Sequence, residues 1–275
     1  MSMMPGEGNE GNEGNEGNEG GGSGSRYSPA GPPTFRLAKK LDPIERATPT
    51  YPLFTGRKYP ESAWGAAWKA QVVLAEFGAE TGWRDICIKE PDDSAEAIEK
   101  EIMMLLNHIG LNRPLRSAEI VGQANGASAY FGNVLDVDPT IRPHTWQVIV
   151  CAFTVGQMVA MFFKHRFNRA RPGQVYPALA PLLATPSHPS YPSGHATQSW
   201  LTAYCLTEVC ANLREPMEEL AMIISENREI AGLHYPSDSW AGRDIAAKVK
   251  HHLCACNTFM QILDAAKKEW EPSRT

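Results

Sequence analysis

At 275 residues the chain has room for one large domain or two small ones, and its 43% hydrophobic and 21% charged content is that of an ordinary globular protein. A formal net charge of −5 excludes generic nucleic-acid binding, which needs a basic surface, but leaves room for a local basic pocket. The six cysteines form no small-domain disulfide framework, and Cys151, Cys205 and Cys210 fall in apolar helical stretches, as buried free thiols do.

In chain order, residues 1–25 repeat Gly-Asn-Glu and end in a Gly/Ser run, a composition that cannot bury enough apolar surface to offset its ordering entropy. A disordered tail is expected there. It has no basic and then apolar stretch of the kind a secretory signal needs, so the expected location is the cytoplasm. Residues 26–60 carry Pro29, Pro32, Pro33, Pro43, Pro49, Pro52 and Pro60 and read as an extended arm. From residue 61 to 275 the apolar spacing is helical. Helices are expected over Glu61–Phe77, over Ser94–Ile109 behind a cap at Asp93 or Ser94, and over the short Ser117–Gln123. Pro143 suits the first turn of a long helix over Trp146–Phe167. Ser193–Leu213, Pro216–Gly232 and Pro236–Trp270 complete the set. Trp146–Phe163 is 18 residues without a charge, near the lower limit for a membrane span, but Gln147, Thr154 and Gln157 interrupt it. It reads as the central helix of a bundle, and no integral span is expected. With no run of alternating strands, the expected fold is an all-α helical bundle with an oxyanion site between its central helices.

Three blocks carry chemistry. Lys164-His-Arg-Phe-Asn-Arg-Ala-Arg171-Pro172 ends the long apolar helix, where cations are favoured; Arg166 and Arg169 read as solvated helix-end charges. In Pro192-Ser193-Gly194-His195, Ser193 is a natural helix N-cap, and a helix N-terminus offers unpaired amides to an anion. Gly194 would let backbone approach a ligand, and His195 would face the same anion from the first turn. In Arg228-Glu-Ile-Ala-Gly-Leu-His234-Tyr-Pro-Ser-Asp238, Pro236 starts a new helix, so His234 falls at a junction and Asp238 in the turn after it. A carboxylate there fixes one imidazole nitrogen and leaves the other to act. Each block alone is equally well a helix end or a cap.

Taken together they read Lys-x6-Arg-Pro, Pro-Ser-Gly-His and Arg-x5-His-x3-Asp, which resembles the signature of the type 2 phosphatidic acid phosphatase and vanadium-dependent haloperoxidase superfamily, here as a soluble bacterial-type member. One departure is Asn227, where the family often has Ser before the third-block Arg; a tuned site is expected rather than a lost one. The resemblance implies a core of four to six helices holding phosphate or vanadate. It implies that Lys164, Arg171 and Arg228 bind the equatorial oxygens and that the Ser193 hydroxyl and Gly194 amide complete the cradle. It further implies His234 as nucleophile, Asp238 as its orienting group and His195 as acid, then base. A phosphoric monoester hydrolase of acid-phosphatase type would act on a small phosphorylated substrate through a phosphohistidine and need no cofactor or metal. The alternative is a haloperoxidase taking a halide and hydrogen peroxide, with vanadate as cofactor bound to His234. His188, five residues before Ser193, resembles a histidine of bromide-oxidising members and is a candidate for halide or substrate selectivity. A non-catalytic oxyanion-binding protein is a minor third reading. The tract His251-His252-Leu-Cys254-Ala-Cys256 is not expected to bind metal, because i and i+2 positions do not share a helix face. Oligomeric state leaves no signal.

Overall fold

A computed structural model describes residues 56–80 and 82–271. The expected tail, 1–25, and residues 26–55 of the expected arm lie outside them. Residues 56–64 belong to a unit of their own that holds the 3-10 turn Glu61–Ala63. From Gly65 onward every regular element is helical, and no strand occurs among the described residues, so the all-α expectation is borne out.

Helix α1 (Ala66–Ala79) starts later than expected, because Gly65 caps it in an extended conformation. The two expected helices around residues 94–123 are one, α2 (Ala95–Gln123), with Ser94 as N-cap accepting from the Ala97 amide at 3.3 Å. Pro114 lies inside it, where the sequence reading placed a break. Tertiary anchors hold the helix on both sides of that proline. Arg113 donates to the Ile230, Leu179 and Ala180 carbonyls, and Arg116 pairs with Glu226. The sequence reading missed α3 (Ala127–Leu135), which ends on Asp136 in the left-handed region at φ 51°. After α4 (Pro143–Phe167) and the short α5 (Pro172–Val175) come α6 (Gly194–Val209) and α7 (Arg214–Ile230). The long C-terminal helix splits into α8 (Pro236–Cys254) and α9 (Asn257–Lys268). The break is held open by Glu76 of α1, which accepts the Thr258 amide at 2.9 Å as well as the Thr258 hydroxyl.

Helix α6 sits at the centre, packed by α4, α7, α8 and α9, while α1 and α9 cover the rest of α4. Two glycines permit the closest crossings. A Cβ on Gly156 of α4 would lie 2.9 Å from the Gln198 Cα, and one on Gly242 of α8 would lie 2.8 Å from the Ala196 Cβ. The second crossing brings the start of α6 against the first turns of α8.

One expectation needs correction. The stretch Pro143–Val175, with a mean hydropathy of 1.7 in its most apolar window, is long and apolar enough to cross a membrane, and 61% of that window is buried inside the protein. Its charge-free 18 residues are interrupted only by three uncharged polar side chains, Gln147, Thr154 and Gln157, which a span tolerates. The expectations of no integral span and of a cytoplasmic location are therefore withdrawn.

The junction between α7 and α8 shows how local sequence sets the site. Helix α7 ends in a Schellman turn: the Gly232 amide donates to the Glu229 carbonyl at 2.8 Å and the Leu233 amide to the Arg228 carbonyl at 3.1 Å. Gly232 stands at φ 78°, and a Cβ there would meet Arg113 Nη2 at 3.2 Å. Pro236 then opens α8, leaving Leu233, His234 and Tyr235 as the link. Gly232→Ala is expected to lower unfolding free energy by about 1–2 kcal/mol, the cost of an L-residue in that conformation. Urea denaturation checks it; an unchanged midpoint would mean that the turn does not depend on the glycine.

Candidate active site

Three segments converge on His234. Lys164, 1% exposed, is in the last turn of α4, and Asn168 caps that helix at φ 50°, a left-handed position that Asn tolerates. The chain turns back there, so that Arg169 and Arg171 are buried rather than carried onward into solvent. Ser193 caps α6, its hydroxyl accepting from the Ala196 amide at 3.4 Å, and its own amide donates to the Asp238 carbonyl at 3.0 Å. Arg228, at the end of α7, is buried and donates from Nη2 to the Ile120 carbonyl at 2.8 Å.

Asp238 is at the third position of α8 and fully buried. Its Oδ2 accepts from His234 Nδ1 at 3.0 Å, from the Tyr235 amide at 3.0 Å and from the Ser190 hydroxyl. The other imidazole nitrogen, Nε2, lies 3.3 Å from Arg171 Nη1. A guanidinium has donors only, so Nε2 accepts and the proton sits on Nδ1. Arg171 Nη1 also donates to the Leu233 carbonyl at 3.0 Å, its Nε to the His188 carbonyl at 3.0 Å, and its Nη2 lies 3.1 Å from His188 Nδ1. Lys164 Nζ donates to the Pro189 and Ser190 carbonyls at 2.6 and 2.9 Å. A Cβ on Gly194 would lie 3.8 Å from Lys164 Cε, so the start of α6 faces the ammonium stem. His195 is half-buried in the first turn of α6, with Nε2 3.3 Å from the Gln123 carbonyl.

Burial, then the Arg171, Lys164, His195 and His188 charges, hold the His234 pKa well below its ordinary value. The ring is neutral at pH 7, with a lone pair on Nε2.

The structure therefore gathers Lys164, Arg171, His188, His195 and Asp238 around His234, with Ser193 and Gly194 at the adjoining helix start and Arg228 in the preceding turn. Asn227, the departure from the motif, donates to Gln123 Oε1 at 2.8 Å and so ties α7 to α2. Arg169 corrects the sequence reading. It is 2% exposed, and it pairs with Asp238 at 2.8 Å, Glu101 at 2.9 Å and Asp93 at 2.8 Å. Ser190, Glu101 and the Gln123 carbonyl were missed as well. Ser190 had a readable signal, since it belongs to a Pro-Ser pair three residues before the Pro-Ser that was read. The other two lie on α2, and no short-range pattern links them to the three blocks. Among the described residues no group of three or more His, Cys, Asp or Glu side chains is placed to hold a metal ion.

A helical bundle burying a histidine–aspartate pair among basic side chains defines the class. Residues 145–257 match the family model described as the PAP2 superfamily. The chain is 32% identical over 108 residues to decaprenylphosphoryl-5-phosphoribose phosphatase of Mycobacterium tuberculosis, covering 39% of this chain and 59% of that protein. It is 33% identical over 86 residues to an acid phosphatase of Zymomonas mobilis, covering 31% of this chain and 33% of that one. The chain thus spans less than two thirds of the length of the curated relatives it matches. Among solved structures it resembles one titled "Crystal structure of the first transmembrane PAP2 type phosphatidylglycerolphosphate phosphatase from Bacillus subtilis", with a TM-score of 0.44 and 15% identity over 75% of this chain and 100% of that one.

Glu229, in the last turn of α7, has a pKa pushed up to about 7 by burial and by Glu226, Asp238 and Glu101, against the opposing effect of the Ser239 hydroxyl. A carboxyl whose folded pKa lies above its unfolded value of 4.5 binds more protons when folded, so its contribution to stability falls as pH rises from that value to about 7. His234 runs the other way: its depressed folded pKa costs stability as pH falls below 6.5. Glu229→Gln is expected to raise the melting temperature above pH 7 and to leave it near the wild-type value below the unfolded carboxyl pKa. A thermal-melt series across pH checks this, and equal shifts at both ends of the range would contradict the assignment.

Proposed function

We propose that this chain is a metal-independent phosphoric monoester hydrolase of acid-phosphatase type that works through a phosphohistidine on His234. The observation that carries the reading is the buried imidazole of His234, with Nδ1–H held by Asp238 and the Nε2 lone pair turned toward Arg171. In this reading Lys164, Arg171 and Arg228 bind the three equatorial oxygens of the phosphoryl group, and the Ser193 hydroxyl and Gly194 amide complete the cradle. Arginine matches two of those oxygens with its planar fork, while lysine supplies a compact charge. Nε2 attacks phosphorus as the ester P–O bond breaks, and His195 gives its proton to the leaving alkoxide. Asp238 stabilises the positive charge that the ring then carries. In the second step His195 takes a proton from water, the hydroxide attacks phosphorus, and the P–N bond breaks. The cradle's fixed charges stabilise the spread-out negative charge of both transition states without reorganising. The substrate is a small phosphorylated molecule.

A second reading has one observation in its favour: His188, 3.1 Å from Arg171, stands at the edge of the cradle, where a selectivity residue for halide would act. Vanadate bound at His234 would then supply peroxide activation for halide oxidation. Paired assays separate the two. The expected result is hydrolysis of an aryl phosphate in the presence of a chelator, and no bromination with peroxide and bromide after vanadate loading. Bromination without hydrolysis would replace the first reading with the second. His234→Ala is expected to reduce hydrolysis to background, and Asp238→Asn to lower kcat by about 10²- to 10⁴-fold through loss of the tautomer. Near-normal turnover in His234→Ala would remove the nucleophile from the account.

A further inference from the structure

The Arg169 guanidinium is committed to the α7–α8 link that carries His234 and to the first turn of α8. Its Nη1 donates to Asp238 Oδ1 at 2.8 Å and to the Ser237 hydroxyl at 2.7 Å, and its plane lies over the Tyr235 ring with Cζ 4.0 Å from the centroid. Its Nη2 donates to Glu101 Oε2 at 2.9 Å. Glu101 closes the circuit by accepting the Ser237 amide at 2.8 Å and the Ser237 hydroxyl at 2.9 Å. The side chains of Asp238 and Glu101 are 0% and 14% exposed, whereas that of Asp93 is 51% exposed and its pairing is screened by solvent.

We propose that Arg169 is a positioning residue of the active site: it fixes the Asp238 carboxylate by the oxygen that His234 does not use, and Glu101 of α2 fixes Arg169. The proposal deepens the phosphatase reading and rests on it for its kinetic consequences. Three donors meet Asp238 Oδ2, and a carboxylate free to turn about its Cβ–Cγ bond could offer either oxygen to any of them. The 2.8 Å ion pair at Oδ1 removes that freedom, so the imidazole meets one oxygen in one orientation. Arg169 also offsets the Asp238 charge, to which the other partners at Oδ2 bring a neutral imidazole, an amide and a hydroxyl. Burial would lower the pKa of Arg169, but Asp238 and Glu101 raise it above its ordinary value, so the guanidinium stays charged.

Among the described residues, charged groups from several elements face this pair. His234 faces Arg171, Lys164, His195 and His188. Asp238 faces Arg169, with Glu101 and Asp93 behind it, and Glu229 of α7 faces both Asp238 and Glu101. Removing the Arg169 cation must raise the proton affinity of the His234–Asp238 pair. Removing the Glu101 charge must lower it. A residue that only braced the fold would give neither shift.

The experiment compares wild type with Arg169→Met, Arg169→Lys and Glu101→Gln. Three readouts are used: kcat and KM on an aryl phosphate, the acid limb of kcat/KM against pH, and the His234 imidazole titration by NMR. Arg169→Met is expected to lower kcat by about tenfold or more with KM little changed, as for a group that orients a catalytic partner. The acid limb and the His234 titration should move up together, by on the order of one unit. Arg169→Lys should recover part of kcat and most of the shift, since it returns charge but not the fork. Glu101→Gln should move the limb in the opposite direction. If Arg169→Met does not fold, the lysine variant and Glu101→Gln decide alone. Wild-type kcat and an unmoved acid limb in folded variants, or shifts of the same sign from Arg169→Met and Glu101→Gln, would overturn the proposal. An inactive wild type would defeat the phosphatase reading instead, and the NMR titration, which needs no turnover, would still decide the role of Arg169.

Discussion

The bond from His234 Nδ1 to Asp238 Oδ2, 3.0 Å long and sealed from solvent, is the constraint on which the arrangement depends. A buried carboxylate is costly unless every oxygen has a partner. Here the partners come from three segments: the imidazole and the Tyr235 amide from the α7–α8 link, Ser190 from the loop before α6, and Arg169 from the turn after α4. Satisfying one charge therefore aligns all three blocks of the motif. The close crossing at Gly242 and the backbone bond from Ser193 to Asp238 hold the start of α6 to the same point.

The sign of the electrostatics is as informative as the geometry. His234 has the Arg171 guanidinium at its Nε2 and a carboxylate at its Nδ1, and Lys164 adds to the positive field around the ring. Such a field keeps the ring neutral and its lone pair available, and it favours a dianion or oxyanion beside Nε2. The cations are themselves anchored to carbonyls: Lys164 to Pro189 and Ser190, Arg171 to His188 and Leu233, and Arg228 to Ile120. Their positions are set by the folded backbone, as the proposed reaction would require of a preorganised site.

Much of this could be read in the sequence, for identifiable reasons. Ser193, Pro236 and Gly232 act through local backbone chemistry, so the helix start, the helix restart and the junction that frees His234 were all legible within a few residues. The i, i+4 spacing of His234 and Asp238 was legible for the same reason. What could not be read depends on long-range packing. Pro114 sits inside α2 because Arg113 and Arg116 tie it to α7 and to the loop beyond α5, more than 60 residues away in sequence. The split between α8 and α9 follows from Glu76, 182 residues from its partner Thr258. Arg169 looked like one more cation at a helix end; its burial follows from the left-handed turn at Asn168 and from Glu101 on a distant helix. The membrane expectation failed differently. Isolated polar residues weigh less than mean hydropathy: the stretch Pro143–Val175 meets the requirements of a span by length and composition, although 61% of its most apolar window is buried inside the protein.

The central claim is that His234 carries the phosphoryl group between two displacements. Rapid mixing of enzyme with excess aryl phosphate, quenching into alkali, where phosphohistidine survives, and peptide mass spectrometry tests it most directly. The account predicts a phosphoryl group on the peptide containing His234 during steady turnover, absent from the His234→Ala protein and decaying when substrate is exhausted. Steady hydrolysis with no phosphoryl group on His234 at any time, together with inversion of configuration at a chiral phosphorus, would contradict it and make water the direct attacker.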